Sequence, residues 1–104
     1  MNQSAAQAEN RKEDGTLTRD LAILNRRGLH ARATAKLVQC IEGFDAQVTV
    51  SRCGETVGGT SIMGILTLGA GVGSTITVTA QGREASQVLD AIEALVGEKF
   101  GEED

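Results

Sequence analysis

"STITVTAQGREASQVLDAIEALV", residues 74–96, decides how this chain folds. Its first part alternates: Ile76, Val78 and Ala80 share one parity, and Thr75, Thr77 and Thr79 share the other. A period of two marks a strand with one buried face. Past Gly82 the period changes. Ala85, Val88, Leu89, Ile92, Leu95 and Val96 form a single stripe at helical spacing, with Gly97 at its end. A strand apolar on one face and a helix apolar on one stripe must cover each other.

Working outward, the same two periods recur. "TLTRDLAILN" (16–25) reads as a strand through Leu17, Leu21 and Ile23, with Arg19 breaking the parity. "NRRGLH" then supplies a turn glycine, Gly28. "ARATAKLVQCIEGF" (31–44) reads as a helix through Ala33, Leu37, Cys40 and Ile41, stopped at Gly43. "AQVTVSR", the turn "CGE" and "TVGG" make a hairpin with Val48 and Val50 inward. "TSIMGILTLGAGVGS" (60–74) opens on the N-cap types Thr60 and Ser61 and forms a short apolar helix, ended by Gly69, Gly71 and Gly73. The order is β-α-β-β-α-β-α, four strands burying one face under helices: a two-layer α+β sandwich. Residues 1–15 are polar and aperiodic and are expected to be a disordered extension. Residues 16–97 form the domain, and 98–104 an acidic tail.

Composition narrows the function. At 104 residues the chain holds one core. With two Phe, no Trp and no Tyr, that core is aliphatic and no base-stacking platform exists. A net charge of −4 argues against a nucleic-acid partner. Both ends are acidic and the body is balanced, yet 19–36 sets Arg19, Arg26, Arg27, Arg32 and Lys36 against Asp20 alone. That locally cationic stretch suits an anionic ligand. Cys40 and Cys53 match no zinc or redox spacing, and a single histidine makes a four-ligand metal site hard to build. No metal is therefore expected. The N-terminus lacks the apolar core of a secretory signal and no run approaches a membrane span, so a cytoplasmic protein with no membrane association is expected.

The single histidine, His30, lies where strand gives way to helix. A helix beginning near residue 31 aims the N–H groups of Ala31 and Arg32 at whatever His30 carries, and its end bears roughly half a positive charge. The same charge disfavours imidazolium, so a neutral ring with a nucleophilic nitrogen is expected near neutral pH. Arg32 adds a permanently charged fork for an oxyanion. Imidazole, amides and guanidinium suit a phosphoryl group held on nitrogen. No second histidine or carboxylate pair is evident for hydrolysis, so a carrier fits better than an enzyme with its own turnover. On residues alone, a structural histidine at a helix start remains the favoured reading of His30. Ser61 reads first as an N-cap hydroxyl, at a helix start where a phosphoserine would be tolerated. Ile62, Met63 and Leu66 exceed what a two-layer fold can bury and form a candidate docking patch.

"GLHAR" (28–32) and "SIMGILTLGA" (61–70) together resemble the HPr family, the histidine-containing phosphocarriers of the bacterial phosphoenolpyruvate-dependent phosphotransferase system. The resemblance runs from Leu21 to Val96. It implies a monomeric open-faced sandwich, a four-stranded antiparallel sheet with three helices on one face, and no cofactor. It implies that His30 is the phosphoacceptor, modified on Nδ1 by phosphorylated enzyme I and relieved by an enzyme II A component, with Arg32 steadying the phosphoryl group. Ser61 matches the regulatory serine modified by HPr kinase/phosphorylase in some members, and Ile62, Met63 and Leu66 fall on the docking surface. The sequence also departs from the pattern. Ala33 stands where many members have proline, leaving an extra N–H near the site. Gln39, Glu42, Glu55, Thr60 and Gly64 stand at positions that are basic in sugar-system carriers. The "SIMG" form also occurs in nitrogen-related regulatory branches, so sugar uptake and nitrogen regulation both stand. The rival to a carrier is a regulatory binding module acting through the 61–66 helix, with His30 structural.

Overall fold

The computed structural model describes residues 9–11 and 15–102, with side chains for 15–102. In chain order the elements are β1 (Glu9–Arg11), β2 (Leu17–Ala22), α1 (Ala31–Glu42), β3 (Gln47–Arg52), β4 (Glu55–Gly58), α2 (Ile62–Thr67), β5 (Thr75–Gln81) and α3 (Ala85–Gly97). A 3-10 turn, Lys99–Gly101, follows. All strand pairs are antiparallel, in the order β1-β2-β5-β3-β4. The expected α+β open-faced sandwich is what forms.

β5 explains why its sequence is so clean. It is hydrogen-bonded on both sides, to β2 and β3, so its inward residues sit at the centre of the covered face. Ile76 stands opposite Leu21, Val78 opposite Val50, and Ala80 between Leu17 and Val48, all buried. Leu37 and Ile41 of α1, and Val88, Leu89 and Ile92 of α3, close over them. The other face carries hydroxyls that pair across strands. Thr77 Oγ1 donates to Asp20 Oδ1 at 2.7 Å, and the Thr18 and Thr79 hydroxyls meet at 3.3 Å. Arg19, the break in the β2 pattern, lies on the covered face and is buried. Its guanidinium reaches Asp90 Oδ1 at 2.8 Å and Glu93 Oε1 at 2.9 Å on α3, which removes the cost of burying an unpaired charge. The β3–β4 hairpin turns on Cys53 and Gly54, both left-handed at φ +52° and +85°, the backbone that matches strand twist in a two-residue turn.

Both chain ends add to the sequence reading. To the four expected strands, β2 to β5, the sheet adds a fifth at its edge: Glu9–Arg11, inside the segment expected to be disordered, pairs with Leu17–Arg19. Such a strand is added through backbone hydrogen bonds at an open edge, so it needs no alternating pattern and leaves none to read. Apart from Gly15, the rest of 1–15 lies outside the described residues. At the other end, 98–102 is not a free tail. Lys99, Phe100 and Gly101 are all left-handed, at φ +59°, +56° and +81°, and turn the chain back on itself. The Phe100 ring is only 1% exposed and belongs to the main core, and its carbonyl accepts from Lys36 Nζ at 2.6 Å. Burial of one aromatic outweighs the local preference of an acidic, glycine-containing segment for solvent. Residues 103 and 104 lie outside the described residues. No helix among the described residues is long and apolar enough to cross a membrane.

Candidate functional site

The loop from β2 to α1 is held by its backbone before any side chain contributes. Ile23 and residues 73–74 exchange two hydrogen bonds of 2.8 Å, extending the β2–β5 ladder past its strand ends. Gly28 is left-handed at φ +69°, and a Cβ there would stand 2.6 Å from the Ala70 carbonyl oxygen and 2.8 Å from Gly71 Cα. Only glycine fits both demands. Leu29 N–H then donates to Ala70 O at 2.9 Å, and Thr34 Oγ1 to Leu29 O at 3.2 Å. The result is a fixed entry into α1.

His30 occupies the N-cap of α1 with extended backbone, φ −75° and ψ −179°. The first helical bond runs from Thr34 N–H to His30 O at 2.9 Å, so the amides of Ala31, Arg32 and Ala33 precede the ladder. The imidazole makes no capping bond; it faces the returning C-terminal segment. Its Nε2 hydrogen-bonds Glu102 Oε2, and both side chains are largely covered, at 18% and 17% exposure. Asn25, fully buried, donates Nδ2 to Gly28 O at 2.8 Å and to Glu102 Oε1 at 3.1 Å. The His30 ring, then the Asn25 amide, then the charge of Arg27, hold the Glu102 carboxyl below the usual carboxylate range.

Arg32 is the second residue of α1, exposed in its first turn, and its own amide is one of the three that precede the ladder. Among the described residues it has no ion-pair partner in this state. Ser61 caps α2 and accepts from Gly64 N–H at 3.0 Å, as the N-cap reading expected. Gly64 packs closely there: a Cβ would lie 2.8 Å from Ser61 Oγ and 3.0 Å from Val57 Cβ, so a larger residue would shift the capping hydroxyl. Of the three apolar residues assigned to docking, Met63 is 71% and Ile62 41% exposed. Leu66 is only half-buried, while Ile65 and Leu68 fill the core. Cys40 is half-buried, and burial pushes its thiol up; Cys53 is exposed, and both are free. Among the described residues no three His, Cys, Asp or Glu side chains gather where they could hold a metal ion.

Sequence reasoning missed Glu102, the side chain that holds the imidazole, and Asn25, which holds the Glu102 carboxylate. One signal was present. Phe100 is one of two aromatics in the chain, and an aromatic between Lys99 and Gly101 in an acidic tail has a reason to be buried.

A lone imidazole at a helix N-terminus, on a small open-faced sandwich with an apolar helix exposed nearby, suits the class of protein that receives a group and presents it to others. The comparisons agree. Residues 17–98 match the family model for the PTS HPr component phosphorylation site. The chain is similar to the phosphocarrier protein HPr of Cupriavidus necator, 48% identical over 86 residues, 83% of this chain and 97% of that one. It is 43% identical over 86 residues to the phosphocarrier protein NPr of Shewanella violacea, 83% of this chain and 94% of that one. Among solved structures, HPr-C-His from Thermoanaerobacter tengcongensis superposes with a TM-score of 0.80 at 36% identity, covering 84% of this chain and 98% of that one. The chain belongs to the HPr family of phosphocarriers of the phosphotransferase system.

Proposed function

We propose that this protein carries a phosphoryl group on Nδ1 of His30, taking it from phosphorylated enzyme I and passing it to an enzyme II A component in the cytoplasm. The observation that supports this most is the placement of the only histidine at the N-cap of α1, ahead of three amides outside the helical ladder. Those donors and the positive helix end offset the charge of a bound phosphoryl group, each exposed contact contributing about 0.3–1 kcal/mol, enough to steady the group without trapping it. Arg32 completes the anion site with a charge that needs no protonation. The protein acts as a relay, without turnover of its own.

Ile62 and Met63 supply the apolar surface on which both partners dock, with Leu66 at its margin, and Ser61 at its edge is the regulatory position for an HPr kinase/phosphorylase. Similarity to an HPr and to an NPr leaves two acceptors to assay, from the sugar and the nitrogen-related branches. Incubation with phosphoenolpyruvate and enzyme I from the same source is expected to give an acid-labile, alkali-stable phosphate that His30→Ala abolishes. Label that persists in His30→Ala, or no label at all, would refute the carrier reading. Complex formation through Ile62 and Met63 without label would instead support a binding module.

A further inference from the structure

Glu102 lies beyond residues 17–98, the part of the chain matched by the family model, yet it is the side chain in contact with the His30 ring. It is also delivered deliberately. Phe100 anchors the segment in the core, Lys36 holds the Phe100 carbonyl, and three successive left-handed residues aim the chain back at the loop. Both carboxylate oxygens are engaged: Oε2 by His30 Nε2, Oε1 by Asn25 Nδ2.

We propose that Glu102 is a positioning residue for the phosphoryl acceptor, holding the ring proton of His30 on Nε2 and so leaving the nucleophilic lone pair on Nδ1. This role rests on His30 being the carrier. An ionised carboxylate has acceptors and no donor, so a hydrogen bond between it and Nε2 requires the proton on Nε2. A neutral imidazole has one such proton, and Nδ1 is then the basic nitrogen. Among the described residues, Glu102 is the side chain whose contact with the ring selects between the two tautomers.

The transfer balances on this basis. The Nδ1 lone pair attacks phosphorus of the phosphorylated donor protein. The bond from phosphorus to the donor atom breaks, and the donor keeps that electron pair. The Nε2 proton stays where it is, so the phosphorylated ring is cationic and faces the Glu102 carboxylate, a charge-assisted contact. When the acceptor protein attacks phosphorus, the P–Nδ1 pair returns to the ring.

Asn25 makes the test sharp. Its amide orientation is pinned, because Nδ2 donates to Gly28 O as well as to Glu102. In Glu102→Gln the carbonyl must face Asn25 and the NH2 must face Nε2, so Nε2 can only accept and the proton moves to Nδ1. Because His30 is the only histidine, ring nitrogen resonances of the ¹⁵N-labelled full chain report it without ambiguity. At a pH of about 9, well above the ordinary imidazole range, wild type is expected to show a protonated Nε2 and a pyridine-type Nδ1. Glu102→Gln is expected to reverse or mix this pattern and to slow labelling by enzyme I about 10- to 100-fold, the size of effect seen when a carboxylate that orients a metal-bound imidazole is removed. Glu102→Asp retains an acceptor and is expected to restore part of both. A wild-type ring protonated on Nδ1 would overturn the proposal, as would a Glu102→Gln ring and rate identical to wild type. A wild type that takes no label would refute the carrier reading itself, a result read separately from the ring proton.

Discussion

Replacing Phe100 with alanine tests whether the C-terminal segment is part of the domain. The ring is 1% exposed, so folding removes nearly its whole surface from water. A buried aromatic covers at least ~150 Å², and at ~25 cal/mol per Å² that is worth about 4 kcal/mol. Compactness of the unfolded chain and the methyl that alanine retains lower this, while the cavity left behind raises it. A loss of about 3 kcal/mol is expected, at the lower edge of the usual Phe→Ala range. Out of a typical ~5–15 kcal/mol the variant stays folded at room temperature, with its melting temperature down by about 12–24 °C. With no Trp or Tyr in the chain, urea unfolding is followed by far-UV circular dichroism. The same variant must release Glu102 from His30, so the His30 ring resonances are expected to shift as well. A loss below about 1 kcal/mol, or ring resonances that stay put, would refute the reasoning, because an acidic tail that merely rests on the surface predicts both.

Three further perturbations probe the site from other sides. Gly28→Ala adds a Cβ 2.6 Å from Ala70 O at a left-handed position; it is expected to cost roughly 2 kcal/mol or more and to displace His30, and a urea midpoint within error of wild type would contradict this. Ser61→Asp keeps an effective N-cap, so the fold should be unchanged. Its charge beside Ile62 and Met63 is expected to slow phosphorylation by enzyme I, about 10-fold for each ~1.4 kcal/mol of lost docking energy, and unchanged transfer kinetics would count against a regulatory Ser61. Glu102, whose carboxyl is held low, contributes stability above its unfolded value and loses that contribution as pH falls through the lower folded one. Its side-chain carbon should therefore titrate below an ordinary glutamate in an NMR pH series, with the Gly101 and Glu102 amides following it; a midpoint at or above the ordinary range argues against the docked segment.

Much of the fold was legible because binary pattern and secondary structure agree where one face is buried. β5 and α3 read cleanly because their apolar residues meet each other across the core. Arg19 looked like an error in β2 until Asp90 and Glu93, more than seventy residues away, supplied its partners. Cys53 and Gly54 read as part of a turn, but the left-handed backbone at both was visible only in the hairpin itself. β1 was illegible for the opposite reason, since an edge strand joined through its backbone leaves no side-chain signal.

By itself, then, the sequence determined the sandwich, the position of His30 at a helix start, the cap at Ser61 and the excess of apolar surface on α2. Each depends on neighbours a few residues apart, and periodicity records such local relations. What occupies Nε2 of His30 was decided by tertiary structure alone. Glu102 is seventy-two residues from the ring it holds, and although Phe100 signals that the segment is buried, it does not say which acid of the terminus meets the ring. Burial of Phe100 brings it there, a long-range energy that local pattern does not encode.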